Sequence, residues 1–104
     1  MSDNLFSRIP ASLPDEVFET IIKSCNVHIE RIISKGHKTG EGQWYDQDKN
    51  EWILLIKGSA QIRFEEEKII GLQPGDYINI PAYKKHRVDW TDSNTETIWL
   101  AIHY

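Results

Sequence analysis

The 104-residue chain has only one cysteine, Cys25, so it can form no internal disulfide. It has no apolar run near the length of a membrane span. Residues 1–8 lack the cationic and apolar segments that make up a secretory signal. These absences predict a protein of the reducing cytoplasm, in which Cys25 is a small buried side chain.

Positive charge is also scarce, because 12 Lys and Arg face 16 Asp and Glu and give a net charge of −4. Since binding to a phosphate backbone needs a cationic surface, this balance argues against nucleic acid as the main partner. The hydrophobic content of 39% and the charged content of 27% are typical of a folded globular protein. The length predicts one domain, with residues 1–26 as a lead-in and helix and residues 27–104 as a β-barrel.

One short α-helix is predicted near residues 14–24. Pro14 suits the first turn of a helix, because its missing N–H would have no intrahelical partner there. Apolar side chains recur at helical spacing at Val17, Phe18, Ile21, Ile22 and Cys25. We expect this helix to pack on the outside of the β domain.

From residue 27 onward, short β-rich runs alternate with glycine and proline, which is typical of an antiparallel sandwich or barrel. The run Glu51–Lys57 has apolar residues on both faces, so it predicts a strand buried on both sides. The sequence Gln-Pro-Gly-Asp at 73–76 predicts a type II turn. About eight strands are expected, a number that suits a closed or double-sheet all-β fold.

Glu51 and His86 are isolated ionisable residues among apolar neighbours. Burying either group costs free energy unless it is paired, ligated or at a rim. Both are therefore candidate catalytic residues, as metal ligands or as general acid and base. The alternative is a structural hydrogen-bonded pair that lines the barrel.

The spacing of these residues resembles the cupin superfamily, in particular the small single-domain cupins. Glu51 is followed after six residues by Gly58, and Gly75 is followed after five residues by Pro81, with His86 five positions beyond that proline. The resemblance covers roughly residues 27–104. It implies a cupin double-stranded β-helix, or jelly-roll barrel, with its site in the mouth and with pairing into a homodimer.

The resemblance also implies a divalent metal, which would be iron, manganese, nickel or zinc. The metal-ligating residues predicted in this way are Glu51, His86, Gln47 and Asp46. Cupins that bind metal usually supply three histidines and one glutamate, whereas the two positions before the glutamate carry Tyr45 and Gln47 here, or Trp44 and Asp46 with a longer spacer. One glutamate, one histidine and an amide make a poor zinc site, for which three or four strong ligands are usual.

The residues predicted to line a ligand pocket are Tyr45, Tyr83, Trp90 and His103, since aromatic rings near the mouth could stack against a ligand. The basic cluster Lys84, Lys85 and Arg87 is either a solvated loop or an attraction for an anion. We expect a small polar or anionic ligand bound in the barrel, with metal-dependent chemistry. The alternative is a metal-free ligand-binding, sensor or accessory module, and the sequence leaves open whether the protein is an enzyme.

Overall fold

The structure is a computed structural model that describes residues 2–66 and 68–104. Within those residues the regular elements are eight strands and no helix occurs, so none is present that could cross a membrane. The strands are β1 Val17–Lys23, β2 His28–Ser34, β3 Glu51–Lys57, β4 Ala60–Phe64, β5 Ile69–Leu72, β6 Tyr77–Ile80, β7 His86–Thr91 and β8 Thr97–His103. The predicted all-β fold is confirmed.

The strands form two antiparallel sheets whose inner faces pack into one core. The larger sheet has the order β1-β2-β8-β3-β6, and the smaller sheet has the order β5-β4-β7. Because side chains alternate along a strand, every second residue points inward. Leu55 on β3, Trp99 on β8 and Ile62 on β4 are buried in this core. Burial of such side chains from both sheets is the main stabilising contribution to the barrel.

The predicted helix near residues 14–24 is wrong, because residues 17–23 form β1 and pair with β2. Val17, Thr20, Ile21 and Ile22 are β-branched, which favours a strand. The register shifts between Thr20 and Ile22, so Ile21 is an extra residue at a β-bulge. That bulge breaks the strict alternation and makes the apolar spacing look helical.

The expectation that Cys25 is buried is also wrong, since the side chain is exposed between β1 and β2. Strand β3 is flanked by β8 and β6, as an interior strand should be. Its burial is unequal, however, because Ile53 on the inner face is buried whereas Trp52 and Leu54 on the outer face are only half-buried.

Two glycines lie at turns where the backbone has a positive φ, a conformation that favours glycine. The predicted type II turn is confirmed: Gly75 has a φ of 94°, and the N–H of Asp76 donates to the Gln73 carbonyl at 2.9 Å. Gly58 ends β3 with a φ of 88°, and a Cβ there would lie 2.7 Å from the Cα of Thr97. A larger residue at Gly58 would therefore push β3 away from β8.

Candidate functional site

A cavity of about 180 Å³ opens at one end of the barrel. Strands β2, β3 and β7 begin there and β8 ends there, so side chains from both sheets converge on it. Its wall is mixed, with apolar side chains such as Ile53, Val88 and Trp99. The polar side chains that line it are Glu16, Glu30, Gln47, Glu51, His86 and His103.

Glu51 lies at the centre of this polar group. It is the first residue of β3 and pairs with His103 on β8 and with Ile80 on β6. Because Ile53 and Leu55 on the same face enter the core, the carboxylate points into the barrel. Only 9% of the residue is exposed. A carboxylate so buried needs charged or hydrogen-bonding partners.

His86 supplies one of those partners from the opposite sheet. Its Nδ1 lies 2.9 Å from the Lys84 carbonyl, and a carbonyl can only accept, so Nδ1 carries a proton. Its Nε2 lies 3.3 Å from Oε1 of Glu51. In a neutral ring that Nε2 would turn a lone pair toward the carboxylate, which is repulsive. The contact is attractive when the ring is an imidazolium and Glu51 is ionised.

The pKa directions agree with an ion pair. Burial alone would raise the pKa of Glu51, but its contacts with His86, the charge of His103 and the hydrogen bond from Gln47 lower it below the ordinary value. Burial alone would lower the pKa of His86, but Glu51 and the Lys84 carbonyl raise it above the ordinary value. Both shifts favour the charged forms, a carboxylate on Glu51 and an imidazolium on His86.

Two residues that precede β3 complete this side of the cavity. The amide of Gln47 donates to Oε1 of Glu51 at 2.9 Å. Tyr45 is held by two backbone hydrogen bonds to His86, of 2.7 and 3.1 Å, and the two rings lie 5.8 Å apart. The pKa of Tyr45 is raised, first by burial and then by the negative charges of Glu16 and Glu51. Negative potential therefore reaches the rim where Tyr45 lies.

A further set of contacts leads from Glu51 across the larger sheet. Nε2 of His103 lies 3.8 Å from Oε2 of Glu51 and 3.0 Å from Oε1 of Glu30. Oε2 of Glu30 in turn lies 3.9 Å from Nε2 of His28, which contacts Thr20 at 2.9 Å. Sequence reasoning included His103 but missed Glu30 and His28. Both residues lie on the face of β2 that points into the barrel. That position indicates a site residue only when β2 is known to pair with β8.

Three of the predicted site residues do not line the cavity. Tyr83 is 70% exposed and contributes only its N–H, which donates to the Gln47 carbonyl at 2.8 Å. Asp46 is exposed. Trp90 pairs with Gln61 on the outer face, because the register of β4 and β7 shifts so that Asp89 is an extra residue. Because of this bulge, the Trp90 side chain points outward, whereas its spacing from His86 predicted that it would point inward.

The donor set does not fit a tight divalent-metal site. Within residues 2–66 and 68–104, no group of three or more His, Cys, Asp and Glu side chains has the geometry to hold a metal ion. Gln47 turns its donor group, not its oxygen, toward Glu51, and His103 contacts two carboxylates. The polar groups of the cavity are thus arranged to stabilise one another.

No family model and no curated protein sequence matches the chain. Solved structures do match, among them a "putative mannose-6-phosphate isomerase" from Ralstonia eutropha JMP134, which is 40% identical, with 99% of this chain and 96% of that chain covered and a TM-score of 0.95. A cupin superfamily protein from Desulfitobacterium hafniense DCB-2 is 22% identical, with 91% and 82% covered and a TM-score of 0.76. An RmlC-like cupin protein from Desulfovibrio desulfuricans is 16% identical, with 99% and 95% covered and a TM-score of 0.76.

The two-sheet barrel with a polar cavity at its mouth defines a cupin-type fold, and the solved structures carry the same architecture. The chain has the cupin fold, which it shares with these solved structures.

Proposed function

We propose that the barrel binds a small polar molecule in the cavity, held by the Glu51–His86 ion pair and by His103. The observation that supports this proposal is the position of a buried ion pair at the wall of a cavity of about 180 Å³. An enclosed volume of this order suits a small metabolite and not a polymer. Apolar residues on the opposite wall would bury the carbon skeleton of the ligand.

Acid–base chemistry on the bound molecule is the second candidate function. The specific observation in its favour is the 3.3 Å contact between Nε2 of His86 and Oε1 of Glu51, because an imidazole beside a carboxylate can give up or accept a proton. A metal-free binding or sensor module would use the same cavity without this step.

A screen of small polar metabolites by thermal melting tests the binding proposal. A ligand that occupies the folded cavity raises the melting temperature of the wild-type chain. His86→Ala and Glu51→Gln should abolish the shift, while Lys85→Ala should keep it, because Lys85 pairs with Glu65 away from the cavity. If both cavity variants respond as the wild type does, the ion pair is structural and the proposal fails.

The divalent metal stays a prediction, with Glu51, His86, Gln47 and Asp46 as the ligands expected from the sequence. Metal analysis of protein purified without a histidine tag tests it. Iron, manganese, nickel or zinc near one ion per chain would support metal-dependent chemistry. A content far below one ion per chain would support the metal-free form of the proposal.

We also propose that the chain forms a homodimer. Strand β1 is an edge of the larger sheet, and Phe18, Ile21 and Ile22 on it are about half exposed. An exposed apolar edge strand is an aggregation hazard unless something covers it. Light scattering should give the mass of two chains at micromolar concentration, and a monomer throughout that range would contradict the proposal.

A further inference from the structure

The charges around the cavity restrict what it can bind. Three carboxylates line it, those of Glu16, Glu30 and Glu51, together with two imidazoles, those of His86 and His103. Neither lysine nor arginine occurs among the described residues that line it. With every carboxylate ionised, the lining is negative even when both imidazoles are protonated, and it is more negative when the rings are neutral. An anion would therefore enter against the local potential.

The basic cluster beside His86 does not change that potential, because each of its side chains already contacts an acid outside the cavity. Paired surface charges attract a distant ion only weakly, so the basic cluster is no longer a reason to expect an anionic ligand. The pairs are Lys84 with Glu66 at 2.9 Å, Lys85 with Glu65 at 3.4 Å and Arg87 with Asp89 at 2.8 Å.

The other part of the wall favours an organic cation over a bare metal ion. Phe18 and Tyr45 line the cavity while remaining about half exposed, so they lie where it opens, and Trp99 lines it from the core. Aromatic faces attract ammonium groups and also bury the hydrocarbon attached to them.

We infer that the ligand of this cavity is a small organic amine in its protonated form, with a compact apolar body against Phe18 and Trp99 and its ammonium group among Glu16, Glu30 and Glu51. The inference rests on the proposed function, because it names the chemical class bound at the same site. It excludes a sugar phosphate as the ligand of this chain, since the lining offers no guanidinium or ammonium group to a phosphate.

Three probes of nearly equal shape and different charge test the inference: benzylamine, benzyl alcohol and benzoate. Each is titrated into the full chain at pH 7 and low ionic strength, after treatment with a chelator, while ¹H–¹⁵N spectra report on the amides of Tyr45, Glu51 and His86. We expect benzylamine to bind about tenfold more tightly than benzyl alcohol, since a favourable charge contact is worth at least that factor, and benzoate to bind most weakly.

Variants then connect the preference to the cavity. Glu30→Gln should lower the affinity for benzylamine about tenfold and leave that for benzyl alcohol unchanged. Glu65→Gln removes an equal charge outside the cavity and should change neither. If Glu30→Gln melts early, Glu16→Gln takes its place, because Glu16 lines the cavity beside Phe18.

Two results would overturn the inference, and they differ in what they say about the proposed function. If benzoate or benzyl alcohol shifts the cavity amides with an affinity equal to that of benzylamine, the charge class is wrong while binding at the site stands. If none of the three probes shifts these amides up to millimolar concentration, the inference fails, while the binding proposal is decided by the screen of small polar metabolites.

Discussion

The larger sheet carries a buried charge cluster on each of its faces, and the two clusters differ in kind. On the inner face, the Glu51–His86 pair and His103 border the cavity. On the outer face, Arg31 is only 7% exposed and contacts Glu19 through Nε at 3.0 Å and Nη2 at 2.6 Å. Its Nη1 also donates to the carbonyls of Leu5 and Ser7, at 2.9 and 2.7 Å.

The two clusters differ in what their charges can do. A guanidinium is always charged, and the acceptors around Arg31 bind the N-terminal segment to the sheet, so this cluster has one state and one task. The inner cluster instead contains a histidine, whose side chain can exchange a proton, and it borders an open cavity. Burial and ion pairing alone therefore do not identify a site; a titratable group beside an open cavity does so better.

The largest expected effect comes from breaking the outer cluster. Arg31→Met should lower the free energy of unfolding by about 3 kcal/mol, because it leaves Glu19 and two carbonyls without their donor. Chemical denaturation measures the change. Ligand binding by the remaining folded protein should be unaltered, since Arg31 does not line the cavity. A loss of binding as large as the loss of stability would remove the distinction between the two clusters.

Glu51→Gln should have a smaller effect that depends on pH. Because the pKa of Glu51 is lower in the folded state, its ionised carboxylate adds to the free energy of unfolding above about pH 4.5. This contribution is lost as pH falls through the folded pKa. The raised pKa of His86 stabilises the fold below about pH 6.5, and this contribution is lost as pH rises through the folded pKa. The variant should therefore be destabilised most between about pH 4.5 and 6.5, by about 1–2 kcal/mol. A difference from the wild type that is constant from pH 3 to 9 would contradict the ion pair.

The smallest effect is expected for an exposed pair, which serves as the reference for both clusters. Lys85→Ala removes the 3.4 Å contact with Glu65, whose side chain is 62% exposed. Solvent screens such pairs, so the free energy of unfolding should change by less than about 0.5 kcal/mol. A change near that of Glu51→Gln would mean that burial does not set the strength of these contacts.

Motif spacing predicted the barrel from β2 to β8, because turns and strand alternation are local properties of the sequence. The Gln-Pro-Gly-Asp turn and the inward parity of Glu51 needed no long-range information. Two expectations differ from the structure for the same physical reason, an extra residue in a strand. The bulge at Ile21 made β1 look like a helix, and the bulge at Asp89 turns Trp90 outward. A single extra residue reverses every later side chain, and composition gives no signal for it.

The candidate site was predictable in its centre and not in its extent. Glu51, His86, Gln47, Tyr45 and His103 line the cavity, and each was marked by its position relative to a motif or a strand. Glu30 also lines the cavity, and His28 contacts Glu30. Glu30 comes close to His103 because β2 pairs with β8, and these two strands are separated by most of the chain. The ion pairs of Lys84 and Lys85 could not be predicted either, because they are tertiary contacts. Their partners, Glu66 and Glu65, lie on the turn after β4.

Titration of the His86 ring is the most direct test of whether a charged Glu51–His86 pair lies at the cavity wall. Its ring ¹⁵N shifts, followed by long-range ¹H–¹⁵N spectra, report protonation at Nδ1 and Nε2 separately. We expect the titration midpoint of His86 to lie above pH 6.5 in the wild-type chain and to be lower in Glu51→Gln. Nδ1 should stay protonated at high pH, because it donates to the Lys84 carbonyl. A midpoint below 6.5 in the wild type, or one that Glu51→Gln leaves in place, would contradict the charged pair.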